Sequence, residues 1–451
     1  MNSRRDSIIP IDPPRAEGRL APVDNPGLLP ELGRRLLLAR LATMRDGELV
    51  IEEWNGQRHR FGRRTPRLDV TVTLQVDHPQ LYADTAFGGT VGAGEAYMRG
   101  LWRCDDLTGL VRLFVANRHM MNDVDSQWSL LSRPLLKAFH FFNRNSRQGS
   151  ARNISAHYDL GNELYSLMLD PTMAYSCGIF ADATTTLEQA SIAKFDAVCR
   201  KLALRPGDRV VEIGTGWGGL AIHAAKHYGC HVTTTTISRE QHDYAREKIA
   251  RAGLADRITL LLEDYRDLRG TYDKAISIEM IEAVGANYLD TYLAKCSSLL
   301  APHGAMLLQA ITIQDQFYER ARKSVDYIQR FVFPGSFIPS VNVISQAVTR
   351  VTDLKIFALE DIGPHYATTL RLWRGNLLAN LDRVRALGLP ARYVSGYLMM
   401  DERVEQEASH AWAEAHVEGL GWVGFDVANR ISPDERYVRV ATGRDYAEAA
   451  P

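Results

Sequence analysis

Between residues 201 and 312 short apolar runs alternate with amphipathic stretches. DRVVEIG, CHVTTTTIS, ITLLLED, DKAISIEM and AMLLQAIT are β-rich, whereas LAIHAAKHYG and REQHDYAREKIARAG carry apolar residues at helical spacing. Such alternation predicts a parallel sheet with helices on both faces and a ligand at the carboxyl ends of its strands. Residues 20–125 have another rhythm. LLPELGRRLLLARLA places leucines at helical spacing, and GELVIEEW and RLDVTVTLQV alternate as half-buried strands do. Gly88, Gly89, Gly92 and Gly94 punctuate FGGTVGAGEAYMRGLW and predict turns rather than a phosphate loop, because no P-loop lysine follows. The pattern divides the chain into a tail (1–20), a small α+β domain (21–125), a basic amphipathic linker (126–152), an α/β domain (153–388) and a β-rich segment (389–451). In the linker, leucines and aromatics interleave with Arg133, Lys137, Arg144, Arg147 and Arg152. That pattern suits a helix lying on an anionic membrane and equally a packed interdomain helix.

Composition narrows the function. The 451 residues hold 53 Lys+Arg against 54 Asp+Glu, a net charge of -1, and are 45% hydrophobic, which excludes a disordered or collagen-like chain. The balanced charge argues against nucleic-acid binding but leaves room for a local basic patch. No run reaches the roughly 18 apolar residues of a membrane span. The start MNSRRDSIIPIDPP has no apolar signal core, so a cytoplasmic location is expected. The five cysteines have no CxxC spacing, so neither a disulfide framework nor a metal site is implied.

The first strand of the α/β region ends in Glu212-Ile-Gly214-Thr-Gly216-Trp-Gly218-Gly219. This G-x-G-x-G spacing differs from the G-x-G-x-x-G of a pyrophosphate binder and favours S-adenosylmethionine over NAD or ATP. Polar groups recur at later strand ends: Thr236, Ser238 and Gln241, then Glu263 and Asp264, then Glu279 and Glu282. Carboxylates there suit ribose hydroxyls and a cationic ligand. Taken singly, each also reads as a solvated or capping residue.

Further motifs flank this core: His157-Tyr-Asp-Leu-Gly-Asn-Glu-Leu-Tyr165, Met173-Ala-Tyr-Ser-Cys177-Gly, Thr236-Ile-Ser-Arg-Glu-Gln241, Asp264-Tyr-Arg-Asp267, Ser277-Ile-Glu-Met-Ile-Glu282, Phe333-Pro-Gly335 with Ile338-Pro-Ser340, and Tyr366-Ala-Thr-Thr-Leu370. With them the chain, from about residue 20 to 388, resembles the cyclopropane-fatty-acid synthase family. The resemblance implies a class I methyltransferase fold, Rossmann-like with a mostly parallel sheet, and S-adenosylmethionine as co-substrate. It implies Tyr175, Ser176, Glu212, Gly214, Gly216, Gly218, Thr236, Ser238, Gln241 and Asp264 as co-substrate contacts. It also implies a bicarbonate base held by Cys177, Glu282, Gln309, Ile311 and Tyr366, and no metal. The expected reaction adds the methyl carbon to a cis alkene of a phospholipid acyl chain and closes a cyclopropane. The expected setting is the inner face of a membrane, and the expected assembly a homodimer. Two positions depart from the family: Gln309 and Ala283 stand where many relatives have His. Gln can donate a hydrogen bond but cannot titrate, which leaves open a second reading, a lipid or small-molecule C-methyltransferase without ring closure that gives a methyl-branched or methylene product. An inactive membrane-binding protein is the third reading.

Past residue 388 the resemblance changes. Gly388–Leu398, Ser409–Glu414 and Gly421–Asp426 resemble the second half of a transglutaminase-like, papain-type domain, with His410 and Asp426 matching two triad members. No Cys follows Cys296, so acyl transfer through a thiolate is excluded there. Either Glu435–Ala441 or Trp422–Val427 is expected to pair with the main sheet as its closing strand.

Overall fold

The computed structural model describes residues 26–120, 161–333, 335–380 and 383, together with the backbone of four strands between 391 and 443. The tail, the 126–152 linker and His157–Leu160 lie outside the described residues. The chain forms two compact units, one of residues up to Asp159 with Val198–Leu359, the other of Leu160–Ala197 with Glu360–Pro451.

The first unit begins with an α+β layer. Strands β1 (Gly47–Glu52), β2 (Arg58–Arg63), β3 (Thr71–Val76) and β4 (Trp102–Cys104) form a sheet in the order β2-β1-β3-β4. The β1–β3 pair is parallel and the others antiparallel. Alternation sends Leu49, Ile51, Val72, Leu74 and Val76 into one core with Leu41, Tyr82, Leu110 and Leu113 from helices Leu28–Leu41, Gln80–Met98 and Leu107–Ala116. On the other face Glu48 and Glu52 pair with Arg60 and Arg58 across the strands.

The glycine-rich stretch is helical rather than a series of turns. Helix Gln80–Met98 runs through it and bends once, at Gly89 (φ 59°, ψ -144°). After the bend the backbone passes so close to Asp84 that a Cβ on Gly92 would lie 2.0 Å from its carbonyl oxygen. The glycines thus serve close packing of two helical segments, which outweighs their intrinsic preference for turns.

Helix Leu28–Leu41 is tied to the sheet by a buried charge. Glu53 accepts two hydrogen bonds from Arg34 (2.7 and 2.8 Å) and one from the Tyr82 hydroxyl (2.5 Å). Its carboxylate is wholly buried. Burial pushes its pKa up, but the bonds from Arg34 and Tyr82 prevail and hold it below the usual carboxylate value.

The α/β part of the same unit carries strands β5 (Arg209–Ile213), β6 (His231–Thr236), β7 (Ile258–Leu262), β8 (Tyr272–Ile278) and β9 (Leu300–Gln309). Their order is β7-β6-β5-β8-β9 and every pairing is parallel. Strand order reverses next to β5, which opens a crevice beyond the carboxyl ends. The second unit packs helix Gly161–Met168 against helix Gly363–Ala379, with Asn376 Nδ2 donating to Met168 O at 2.9 Å.

The expected closing strand does not form. Strands β10 (Ala391–Leu398), β11 (His410–Val417), β12 (Gly421–Phe425) and β13 (Tyr437–Gly443) make their own antiparallel sheet in the order β12-β11-β10-β13. Only three residues separate β11 from β12, so hairpin pairing costs little loop-closure entropy compared with joining a distant sheet. Among the described residues β9 therefore remains an edge strand.

Glu53→Ala should lower stability by about 3 kcal/mol, because it strands a charged partner and an aromatic hydroxyl. The native carboxylate contributes above its unfolded pKa and loses that contribution as pH falls through its depressed folded value. Thermal unfolding of the parent and Glu53→Gln proteins should accordingly converge below about pH 4. A gap unchanged by acid would show that the charge is not what stabilises.

Candidate active site

In the first unit the sequence-expected co-substrate residues line the carboxyl ends of adjacent strands. After β5 the chain turns through Gly214, Gly216 and Gly218, with φ of 99°, 51° and 83°, and enters helix Gly219–Tyr228. A Cβ at these positions would force a backbone region that L-residues rarely adopt. Glu212, at the end of β5, is buried and accepts a 2.6 Å bond from the Thr234 hydroxyl of β6. Thr234 in turn meets Thr215 Oγ1 at 2.7 Å. The threonines thus fix one oxygen of Glu212 relative to the glycine turn, a role that the run of threonines in β6 does not reveal by itself.

Beyond β6, Thr236 donates to Gln241 Oε1 at 2.9 Å, and Ser238 caps helix Arg239–Arg251 by accepting from Gln241 N–H at 3.3 Å. The structure therefore brings Thr236, Ser238 and Gln241 together, with Ser238 doing capping work as well. After β7, Asp264 receives both Nε and Nη2 of Arg266 at 2.8 Å. Sequence reasoning missed Arg266, whose fork neutralises the acid two residues before it.

At the ends of β8 and β9 sit three of the expected catalytic residues. Ile278 pairs with Gln309, and the ladder continues as Glu279 N–H donates to Gln309 O at 2.8 Å. Gln309 Nε2 returns a 2.8 Å bond to Glu279 Oε1. This leaves the Ile311 N–H to donate to Glu282 Oε1 at 2.5 Å. Glu282 lies in the turn Ile281–Ala283 and is 9% exposed. Its other oxygen, Oε2, is buried with no hydrogen-bond partner among the described residues. Burial pushes its pKa up to about 8, with a further push from Glu279 and a partial offset from the Ile311 N–H. At neutral pH Glu282 is therefore mostly a carboxylic acid whose free oxygen can donate a proton in a hydrogen bond.

In the second unit the Tyr175-Ser176-Cys177-Gly178 loop is held from two sides. Gly178 N–H donates to Thr369 Oγ1 at 3.1 Å, and Cys177 Sγ lies 3.7 Å from Ile362 O. Tyr366 projects from the same helix as Thr369. Trp373, absent from the sequence expectations, links the two tyrosines: its ring is 5.1 Å from Tyr175 and edge-on to Tyr366 at 6.4 Å. On the other side, helix Leu187–Lys201 supplies the Ala190 carbonyl to Ile179 N–H and the Lys194 ammonium to Ser176 Oγ, at 3.0 and 2.6 Å. Lys194 too was missed.

A parallel five-stranded sheet whose first strand runs through a glycine turn into a helix is the class I S-adenosylmethionine-dependent methyltransferase fold. A family model described as mycolic acid cyclopropane synthetase matches residues 145–400, and the chain belongs to that family. A second model, the transglutaminase-like superfamily, matches residues 382–427. The chain is 37% identical over 308 residues to tuberculostearic acid methyltransferase UfaA1 of Mycobacterium tuberculosis, covering 66% of this chain and 71% of that protein. It is 37% identical over 310 residues to the cyclopropane-fatty-acyl-phospholipid synthase of Escherichia coli, covering 68% and 76%. The crystal structure of mycolic acid cyclopropane synthase CmaA1 complexed with SAH and CTAB superimposes with a TM-score of 0.50 at 30% identity, covering 53% of this chain and 86% of that one. The protein is thus a cyclopropane-fatty-acyl-phospholipid synthase-like methyltransferase with S-adenosylmethionine as co-substrate.

The raised pKa of Glu282 has a signed consequence. Between 4.5, its ordinary value, and about 8, the folded protein holds a proton that the unfolded chain releases. Stability should fall as pH rises through that window. Thermal unfolding followed from pH 5 to 9 should show the decline in the parent and a flatter profile in Glu282→Gln; parallel profiles would place the carboxyl in a more polar setting.

Proposed function

We propose that the enzyme converts cis-unsaturated acyl chains of membrane phospholipids into cyclopropane chains, with bicarbonate as the proton acceptor. The observation that carries this reading is the Glu282 carboxyl: buried, one oxygen held by Ile311 N–H, the other without a partner among the described residues. An oxyanion beside it would accept its proton in a charge-assisted bond and satisfy the orphan oxygen. The residues therefore fit bicarbonate.

The alkene π pair forms a bond to the methyl carbon as the carbon–sulfur bond breaks, giving S-adenosylhomocysteine and a carbocation. Loss of a proton from the former methyl carbon closes the ring. Bound bicarbonate supplies a weak base for that proton, and a weak one suffices because the cation is very acidic. Glu282 and the Ile311 N–H would hold and orient the anion, while Gln309, donating to Glu279, keeps the end of β9 in register with β8. Water must be excluded, since it would trap the cation. Among the described residues no helix is long and apolar enough to cross a membrane; on the proposed reading the enzyme reaches its lipid from the cytoplasmic surface of the membrane.

A second reading is favoured by the side chain at position 309. Its amide cannot titrate, and one relative is named a tuberculostearic acid methyltransferase. On this reading the cation loses its proton elsewhere and a methyl-branched chain results. Mass spectrometry of lipids from an expressing host decides. Acyl chains heavier by one CH2 that resist hydrogenation support the ring, and chains that take up hydrogen support the branched product. Glu282→Gln should lower turnover by roughly 10²-fold or more; unimpaired turnover would remove Glu282 from the chemistry.

A further inference from the structure

Lys194, which helps to hold the Tyr175–Gly178 loop, is 1% exposed on helix Leu187–Lys201, and an ammonium so buried has to be hydrogen-bonded. Its Nζ is 2.6 Å from the hydroxyl of Ser176, itself 6% exposed, and 4.6 Å from the centre of the Phe195 ring. An ammonium carries three donors and no acceptor. The bond therefore runs one way: Ser176 Oγ accepts from Lys194, and the hydroxyl hydrogen of Ser176 must point elsewhere. Among the described residues it has no acceptor.

The loop around Ser176 gives that hydrogen a fixed direction. Tyr175 is packed between Tyr165 and Trp373, with ring centres 5.3 and 5.1 Å away. Gly178 has no space for a side chain: a Cβ there would lie 2.9 Å from the Ala190 Cβ. The Asp170 carboxylate, bonded by the Ser191 hydroxyl at 2.8 Å and the Thr172 N–H at 2.8 Å, anchors the segment that leads into the loop.

We propose that Lys194 is a positioning residue that makes Ser176 an obligate hydrogen-bond donor to the carboxylate of S-adenosylmethionine. This rests on the reading of Ser176 as a co-substrate contact. The carboxylate is the acceptor-only anionic group of that molecule, so it matches a hydroxyl locked as a donor. A cation one bond behind the hydroxyl polarises it and offsets the charge being buried. Recognition of the amino-acid end is thereby separated from recognition of the methyl group.

The test is calorimetric binding of S-adenosylmethionine and of decarboxylated S-adenosylmethionine to the full chain and to Ser176→Ala, Lys194→Met and the double variant. Each single variant should weaken S-adenosylmethionine by roughly 10- to 100-fold and change the decarboxylated compound by less than about threefold. The double variant should be no worse than the weaker-binding single, because both remove one interaction. If Ser176→Ala shows no selective loss, the reading of Ser176 as a co-substrate contact fails. If Ser176→Ala shows it but Lys194→Met weakens both compounds alike, or neither, the positioning role fails. A shift in the bicarbonate dependence of turnover instead of in carboxylate selectivity would also overturn it. Should Lys194→Met not fold, Lys194→Leu gives the same decision: it too offers Ser176 no donor, so retained selectivity would refute the proposal.

Discussion

The pairing of β8 with β9 is the constraint on which the site depends. Its parallel register sets Ile278 opposite Gln309 and carries the ladder one step further through Glu279 N–H and the Gln309 carbonyl. Because the ladder ends there, the next free N–H, that of Ile311, is available to Glu282. A one-residue slip would put side chains on the wrong face and turn this donor away. Glu279 itself adopts φ of 49°, an unusual value for a residue with a side chain, and its backbone and side-chain bonds to Gln309 hold it there. The strained residue thus sits between the sheet and the acid, at the point where strand geometry is converted into site geometry.

Three acids at the same edge of this sheet differ only in what surrounds them. Asp264 is met by the guanidinium fork of Arg266. Glu212 is buried and accepts from the Thr234 hydroxyl, which fixes one of its oxygens in place. Glu282 is buried with one backbone donor and one orphan oxygen, and it keeps its proton to about pH 8. Identical functional groups thereby become an ion-paired anchor, an oriented acceptor and a neutral donor. What separates them is how deeply each is buried and which donors surround it.

Much of this was legible in the sequence. The strand–helix alternation from DRVVEIG to AMLLQAIT identifies all five strands of the parallel sheet, because short runs of β-branched and apolar residues stand out between amphipathic helical stretches. The glycine turn and the acids at strand ends were legible too, since their positions follow from chain order alone. The partners were not. Arg266 sits two residues from Asp264, yet nothing in its spacing marks it as bonded. Lys194 reads as one more charge on an amphipathic helix, and Trp373 as one more apolar residue. Their roles come from contacts between distant segments, which a one-dimensional pattern does not encode. Gly88–Gly94 misled for the converse reason: glycine signals conformational freedom and close approach alike, and here mainly the second applies. The C-terminal strands were recognisable as strands, but their partners were not: β11 pairs with β12 across three residues, whereas β10 pairs with the distant β13.

Cysteine usage in the two halves follows the same logic. The segment that resembles a papain-type domain contributes the backbone of His410 to β11, but acyl transfer needs a thiolate and the chain has no Cys after position 296. In the synthase part Cys177 is 1% exposed and its Sγ faces the Ile362 carbonyl at 3.7 Å. A thiol so placed is a weak donor beside an acceptor, not an exposed nucleophile. Alkene methylation asks for no protein nucleophile, because the substrate's own π electrons attack the methyl group. What such a reaction needs from the protein is a dry site, fixed donors and a tolerable home for one proton. In the first unit the Ile311 N–H and the neutral Glu282 carboxyl supply donors of that kind.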